Sequence, residues 1–277
     1  MKNMKSMKRK STVWRAVWGI ILLVPVATAL LPFVFMALKS FEETYFLAMT
    51  FNWKFMSLNN YRIVLSTRSF PRYLLNSGIV TVCACFFNCL FCLMAGFSFE
   101  KKKFPGKEII FLLFIVTLMI PGQVTLIPLF VIMKELKLMN TYPAMFLPAI
   151  NAFGVFLMRQ FMVGLPDELL EAAEIDGSGE VNTFTKIVIP LSKPVLVSLT
   201  VFTFISNWND FMWPLVITNT SSMQTLVVGL STLYGSRDLN YGIVMAGAML
   251  TFVIPFVLYI ILQKQFVEGI ALSGVKG

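Results

Sequence analysis

The sequence contains no histidine and little charge. Of its 277 residues, only 13% are Asp, Glu, Lys or Arg. Without histidine, the side chain most used for proton transfer and metal binding near neutral pH is missing. No Gly-x-x-x-x-Gly-Lys-Ser/Thr segment is present, so the chain has no loop of this kind for the phosphates of ATP. Nor does the sequence suggest a paired nucleophile and base. These absences argue against an enzyme and against ATP hydrolysis by this chain.

The few cysteines do not indicate a disulfide framework. Cys83, Cys85, Cys89 and Cys92 all fall inside one apolar segment. The last three would share one face of a helix. A metal site there would place charged thiolates in an apolar environment, whereas small side chains commonly line helix interfaces. We interpret the cysteines as packing residues and predict no metal site.

Long apolar runs dominate what is present. The chain is 57% hydrophobic, with a mean hydropathy of +0.77. A run of about 20 residues crosses roughly 30 Å of hydrocarbon as a helix, and a helix satisfies its own backbone in lipid. The sequence predicts an all-α membrane protein with six transmembrane helices in one domain, residues 1–277, and core spans within about 14–263. The spans are predicted at about residues 14–37, 72–97, 108–133, 142–162, 194–218 and 241–263.

Basic residues flank the apolar runs and predict the orientation. Residues 1–15 contain six Lys or Arg and no acidic residue, which favours a cytoplasmic N-terminal tail, residues 1–13. Six spans would return the C-terminal tail, residues 264–277, to the same side. The first apolar run is too long for a signal-peptide core, so we expect it to remain as an anchor. The net charge is +9, but the basic residues flank apolar runs and form no surface interleaved with aromatic residues. We therefore predict no nucleic-acid partner.

The polar segment 164–193 interrupts the apolar pattern between the fourth and fifth predicted spans. Pro166 suits a first helical turn, and Gly177 suits a left-handed C-terminal cap. The short helix between them has two interpretations. It could be a solvated connector, or it could dock on a partner, with Ala172 and Ala173 allowing close approach and Glu171 pairing with a basic residue.

A polar cluster lies within the predicted fifth span. Its residues are Asn207, Trp208, Asn209, Asp210 and Trp213. Amides and a carboxylate are costly in lipid, so they should face the interior of the bundle or a water-filled path. One interpretation is hydrogen bonding between helices. The other is contact with a polyhydroxylated cargo, since amides and carboxylates bond hydroxyl groups and tryptophan presents an apolar face.

The third predicted span contains a second candidate. Pro121, followed by Gly122, and Pro128 remove helix hydrogen bonds partway along the span. The interruption could expose backbone carbonyls and the amide of Gln123 to a cavity. It could equally be a packing kink.

The polar segment and several apolar segments also carry motifs. In 164–193 the motif residues are Glu171, Ala172, Ala173, Asp176, Gly177, Phe184, Ile187 and Pro190, with Pro194 just beyond. Other motifs are Met119-Ile-Pro121, Pro128-Leu129, Leu138-Met-Asn-Thr-Tyr142, Asn207-Trp-Asn-Asp210 with Pro214-Leu215, and Phe266-Val-Glu-Gly269. Together they resemble ABC-importer permeases, whose loop of this pattern is called the EAA loop. The set is most similar to the smaller permease of carbohydrate importers of the maltose and multiple-sugar type.

This resemblance implies a type I ABC-importer fold in the bacterial plasma membrane. It implies a sister permease, a dimeric cytoplasmic ATPase that binds ATP and Mg²⁺, and an extracytoplasmic sugar-binding protein, with no cofactor on this chain. The cargo would be a sugar, with glycerol phosphate or another polyol as the alternative. An ion-coupled secondary transporter is a rival of another class, but Asp210 is the only central acid and no inverted repeat accompanies it. The residues that would couple to the ATPase are Glu171, Ala172, Ala173, Asp176, Gly177, Ile187 and Pro190.

Overall fold

The computed structural model describes residues 2–44, 51–67, 69–231 and 240–274. The chain forms two compact units, one of residues 1–67 and 233–250 and the other of residues 68–232 and 251–277. Within the described ranges the regular structure is helical, apart from an isolated bridge between Glu42 and Met56. The helices are α1 (Lys2–Ser40), α2 (Asn59–Ser66), α3 (Phe70–Lys101), α4 (Lys107–Thr117), α5 (Gly122–Glu135), α6 (Tyr142–Phe146), α7 (Ala152–Val163), α8 (Glu168–Ile175), α9 (Glu180–Thr183), α10 (Ile189–Leu191), α11 (Lys193–Trp208), α12 (Met212–Ile217), α13 (Leu226–Ser231) and α14 (Tyr241–Gly274).

Three apolar helical stretches are continuous and long enough to cross a membrane. They are Ile21–Ser40, Phe70–Lys101 and Tyr241–Ile261. Three further candidates are bent pairs, α4 with α5, the segment Tyr142–Ala149 with α7, and the segment Glu180–Leu191 with α11. Counting each pair as one span gives six in the described residues, which is the predicted number.

The predicted third span is broken at Pro121. Helices α4 and α5 meet at an angle of 108°, and α5 begins at Gly122, directly after the proline. Proline has no N–H to continue a helix, which explains the position of the break. Pro128 lies inside α5 without ending it, so the expectation that both prolines interrupt the span is met at only one of them.

The predicted fifth span, about 194–218, is also interrupted. Helix α11 ends at Trp208, and the short α12 begins at Met212. Helix α12 is fastened to the turn before α6, because Asn140 N–H donates to the Ile217 carbonyl at 3.0 Å. The Asn140 side-chain oxygen in turn accepts the N–H of Asn219 at 3.1 Å. Trp213 Nε1 donates to the Ala144 carbonyl at 2.9 Å.

Helix α3 forms the centre of the second unit, where it packs against α7 and α11. A Cβ atom on Gly96 would lie 2.5 Å from the Cβ of Met158 and 2.7 Å from the Arg159 nitrogen. Glycine at this position therefore allows α3 and α7 to approach closely. Small residues have the same effect at the interfaces of membrane helices. The predicted packing cysteines also face neighbouring helices, and Cys89 Sγ lies 3.2 Å from Thr200 Oγ1 of α11.

In the first unit, polar contacts fix the end of α1. Lys39 Nζ lies 2.7 Å from a carboxylate oxygen of Glu42, and both side chains are almost fully buried. The Asn60 amide donates to the carbonyls of Ser40 and Glu42, each at 3.0 Å. Tyr241 N–H donates to the Thr44 carbonyl at 2.8 Å. These bonds join the ends of α1, α2 and α14.

Candidate functional site

The polar segment 164–193 begins with a lysine clamp. Lys101, the last residue of α3, donates from Nζ to the Leu165 carbonyl and to Asp167 Oδ1, both at 2.6 Å. The Lys101 side chain is only 7% exposed, whereas that of Asp167 is 71% exposed. Because its charge is largely removed from water, the ammonium depends on these partners. The clamp holds the start of α8 against the end of α3.

Helix α8 ends in a Schellman motif. Gly177 has φ +75°, the left-handed conformation that glycine adopts without steric cost. Its N–H donates to the Glu174 carbonyl at 3.0 Å, and the Ser178 N–H donates to the Ala173 carbonyl at 2.9 Å. These are the two bonds that define the motif. The helix therefore stops sharply, as the glycine at this position predicts.

The two faces of α8 have different environments. Ala173 is buried at 7% exposure, and Leu170 packs on the hydrophobic core of α3, α7 and α11. A helix turns by about 100° per residue, so Glu171 and Ile175, each two residues from Ala173, lie on the opposite side. Ile175 is 87% exposed. Of the two predicted docking alanines, Ala172 is exposed, while Ala173 packs within the chain.

The remaining loop residues shape the connection to α11. Asp176 caps the end of α8, where its N–H donates to the Ala172 carbonyl. Ile187 lies in a π-helical turn, Phe184–Val188, that immediately precedes Pro190. Since Pro190 cannot donate a backbone bond and its ring crowds the preceding turn, a widened turn accommodates it. The segment Glu180–Leu191 then meets α11 at 74°.

Ion pairs surround this region. Arg159 of α7 donates to Glu100 at 3.1 Å and to Glu108 at 3.0 Å, and its guanidinium lies 4.0 Å from the centre of the Phe111 ring. Lys102 pairs with Glu180 at 2.5 Å. The pairs connect α3, α4 and α7 with the start of α9. Sequence reasoning missed both this network and Lys101, because the partners are distant along the chain.

A cavity of about 470 Å³ lies within the second unit. Its lining comes from α5, α6 and the segment between α6 and α7, and from α7, α11, α12 and the residues that join α11 to α12. The polar lining residues are Thr125, Asn151, Thr203, Ser206, Asn207 and Asp210, and the aromatic ones are Phe153, Phe202 and Trp213. The cavity therefore combines hydrogen-bonding groups with aromatic surface.

Three helix interruptions meet at this cavity. Gly122 directly follows the break between α4 and α5, Asn151 lies immediately before α7, and Asp210 lies between α11 and α12. Interrupted backbone is tolerated within a membrane where it is buried in protein or lines a water-filled cavity. The Asp210 carboxylate accepts the Trp213 N–H at 3.3 Å, and Asn151 Oδ1 accepts the Gly154 N–H at 3.0 Å. Side chains thus accept backbone N–H groups at the starts of α7 and α12.

The predicted polar cluster divides between the cavity and helix contacts. Asn207, Asp210 and Trp213 line the cavity. Trp208 is buried and does not, because its Nε1 donates to the Thr251 carbonyl of α14 at 3.0 Å. Asn209 is exposed, and its side-chain amide donates a hydrogen bond to the Ile205 carbonyl of α11. Trp208 thus makes a hydrogen bond between helices, whereas for Asn207, Asp210 and Trp213, which line the cavity, contact with a cargo stays a prediction.

The second predicted candidate lies at the cavity edge. Pro121 and Gln123 are exposed, and neither is among the cavity-lining residues. Gly122 between them does line it, together with Thr125 one turn later. The broken helix therefore reaches the cavity through its backbone and Thr125 rather than through the amide of Gln123.

Asn88 supports the cavity from behind and was not predicted. It is fully buried, its Nδ2 donates to Thr203 Oγ1 at 2.8 Å, and its Oδ1 accepts the Asn151 N–H at 3.3 Å. It therefore joins α3 to two cavity-lining residues. A lone amide in the middle of an apolar span was the available signal. Among the described residues, no group of three or more His, Cys, Asp or Glu could hold a metal ion.

Known proteins resemble this chain in sequence. An arabinooligosaccharides transport system permease protein, AraQ, of Halalkalibacterium halodurans is 40% identical over 73% of this chain and 73% of its own length. AraQ of Bacillus subtilis is 32% identical over 81% of this chain and 80% of its own length. The sn-glycerol-3-phosphate transport system permease protein UgpE of Yersinia pestis is 36% identical, with 73% of each chain covered.

A solved structure and a family model agree with these relatives. The crystal structure of a bacterial ABC transporter involved in the import of the acidic polysaccharide alginate matches with a TM-score of 0.81 at 22% identity, covering 93% of this chain and 98% of that one. This match confirms the predicted all-helical permease fold. The model of the family described as "Binding-protein-dependent transport system inner membrane component" matches residues 89–270. The chain belongs to this family and is a transport component rather than an enzyme.

Proposed function

We propose that this chain is the permease subunit through which an ATP-driven importer moves an oligosaccharide into a bacterial cytoplasm. The names of its AraQ relatives support the cargo class. Residues 1–277 act as one transmembrane domain in the plasma membrane, with loop 164–193 and both terminal tails, 1–13 and 264–277, in the cytoplasm. The basic N-terminal segment supports this orientation.

The chain works with a sister permease, a dimeric ATPase and an extracytoplasmic sugar-binding protein. The family description, a component of binding-protein-dependent transport, supports the last of these. ATP and Mg²⁺ bind to the ATPase, and this chain carries no cofactor. Since it lacks the phosphate-binding loop of ATPases, the force for transport must reach it through contact.

Helix α8 is the contact, and its two-faced environment is the observation that carries this proposal. One face is packed on the chain's own core, whereas Glu171 and Ile175 project from the other. An isoleucine that is 87% exposed can serve as an apolar anchor in a partner pocket, because burying its side chain removes apolar area from water. Glu171 adds charge complementarity toward a basic ATPase surface.

Two routes lead from α8 into the membrane helices. The Lys101 clamp connects its start to α3. Through the bend at Ser192, the segment Glu180–Leu191 leads into α11, whose far end carries Ser206 and Asn207 at the cavity. A rigid-body movement of α8 on nucleotide-driven closure of the ATPase would thereby change the cavity, as alternating access requires. Asn207, Asp210 and Trp213 are the pathway residues of this proposal, whereas Trp208 holds α11 to α14.

Two substitutions on the exposed face of α8 test the docking role. Glu171→Lys and Ile175→Asp should leave the permease in the membrane while abolishing copurification with the ATPase and ATP-driven uptake. Glu135→Lys, an exposed charge reversal at the end of α5 and on the predicted outer side, is the matched control and should leave both unchanged. ATPase binding and uptake by Glu171→Lys and Ile175→Asp at the level of this control would refute the proposal.

Glycerol phosphate is the second candidate cargo. The 36% identity to UgpE is the observation in its favour. Uptake of radiolabelled glycerol 3-phosphate and of arabino-oligosaccharides by the reconstituted importer separates the two. Transport of the phosphate alone would replace the sugar in this proposal without affecting the coupling role of α8.

A further inference from the structure

We propose that the cavity of this chain contacts the cargo directly and selects uncharged glycosyl units over anionic ones. The inference rests on the proposed import function and adds to it the chemical class of the cargo. Asp210 supplies the charge selection, while Phe153 and Phe202 supply the surface for sugar rings. In this proposal the permease itself recognises part of the cargo, in addition to the selection made by the binding protein.

Charge in the cavity is one-sided. Among the described residues that line it, Asp210 is the only charged one, with no lysine or arginine beside it. Its carboxylate is held in place by the Trp213 N–H at 3.3 Å. A phosphate or uronate entering this space would lose hydration without gaining a cationic partner and would meet a like charge at short range. A neutral sugar incurs neither cost.

The neighbouring polar groups match sugar hydroxyls. Ser206 offers a hydroxyl that can donate or accept, and Asn207 offers an amide that can do both. Within the described part of the chain, Asn207 uses one side-chain N–H for the Thr203 carbonyl at 3.1 Å, which leaves its second N–H and its side-chain oxygen for a ligand. With the acceptor oxygens of Asp210, this edge of the cavity carries both donors and acceptors, as a polyhydroxylated ligand needs.

Aromatic surface completes the site. The rings of Phe153 and Phe202 stand edge to face, with centroids 5.7 Å apart. They are 39% and 44% exposed, although both belong to the lining of the cavity. The apolar face of an aromatic ring packs against the C–H groups of a sugar. The volume of about 470 Å³ falls in the range of pockets for small ligands.

Thiol labelling measures the charge selection without a binding protein. The variant Ser206→Cys is made in the full-length chain and reconstituted in the importer. Its rate of labelling is measured with two methanethiosulfonate reagents, a cationic trimethylammonium and an anionic sulfonate. The labelling of the parent chain is subtracted as background. We expect the cation-to-anion rate ratio to exceed that of a free thiol at least about tenfold and to fall toward it in Ser206→Cys with Asp210→Asn. Glu135→Gln is the control and should change nothing. A ratio equal to that of the free thiol, or one unaffected by Asp210→Asn, would overturn the inference.

Ligand protection measures the ring contact. Arabinotriose should slow labelling of the thiol introduced by Ser206→Cys, whereas trigalacturonate and glycerol 3-phosphate should not. Phe202→Leu should weaken protection by arabinotriose several-fold while preserving the charge ratio, and Phe156→Leu, on the same helix as Phe153 but outside the cavity lining, should preserve both. Equal protection by the anionic ligands would overturn the inference even if ATP-driven uptake persists. Failed ATP-driven uptake with intact selectivity would instead count against the proposed function.

Discussion

Replacing the buried ammonium of Lys101 should detach α8 from α3. In Lys101→Met the chain length is kept, but the bonds to the Leu165 carbonyl and Asp167, both 2.6 Å long, are lost. A hydrogen bond from a charged group contributes about 1.5–3 kcal/mol. Because Asp167 is 71% exposed, its ion pair adds at most about 1 kcal/mol. Most of the clamp therefore comes from the backbone carbonyl.

Hydrogen exchange of the α8 amides measures this attachment directly. With 1.4 kcal/mol for each factor of ten, the loss of both bonds in Lys101→Met should lower their protection about 10- to 700-fold. Asp167→Asn, which leaves the carbonyl bond in place, should lower it only up to about fivefold. ATP hydrolysis stimulated by the binding protein should persist while uptake per ATP falls, since α8 would move without α3.

Lys103→Met provides the matched control for this prediction. Lys103 is an exposed lysine two residues beyond the clamp, and its replacement makes the same change in net charge. Protection of α8 should therefore remain as in the parent chain. Equal exchange in Lys101→Met and Lys103→Met would refute the reasoning, because the clamp would then contribute nothing to the attachment of α8.

Further predictions concern packing and backbone conformation. Gly96→Ala should destabilise the protein by about 1–3 kcal/mol through overpacking between α3 and α7, whereas Gly78→Ala on the same helix faces open space and should be neutral in thermal unfolding. Asn88→Leu should cost about 1–3 kcal/mol because buried partners are left unsatisfied, again seen as a lower unfolding temperature. Gly177→Val should cost about 1–3 kcal/mol of local strain and shorten α8 in hydrogen exchange, while Gly179→Ala, at an ordinary negative φ, should not. Unchanged unfolding or exchange in the first member of either pair, or in Asn88→Leu, would contradict the packing described.

Local chemistry accounts for what the sequence could predict. Hydropathy identifies the apolar spans because crossing a bilayer demands length and composition alone. Pro121 marks a break because it has no N–H to extend a helix, although Pro128, which shares this property, stays inside α5. Gly177 marks the end of α8 because glycine adopts the left-handed conformation of a C-terminal cap. These features need no knowledge of neighbouring helices.

Tertiary packing decides the rest. Ala172 and Ala173 are adjacent and identical in type, yet one is exposed and the other buried, because the phase of α8 is set by the core beneath it. Likewise, Trp208 contacts α14, whereas Asp210, two residues later, lines the cavity. The interruption after Trp208 carries no proline at its start; the available signal was Asp210, whose carboxylate accepts the Trp213 N–H three residues on, as a capping side chain does. Lys101 and Asn88 depend on partners more than 60 residues away.

Because of the interruption between α11 and α12, the two halves of one predicted span contact different parts of the chain. Helix α11 packs with α3 and α7, while α12 is tied through Asn140 to the α5–α6 turn and through Ala144 to α6. Asp210 occupies the joint between them. In the proposed coupling, a displacement of α11 that begins at Lys193 would end at this joint. We therefore expect the two halves of the span to move separately, α11 with α3 and α7, and α12 with the α5–α6 turn.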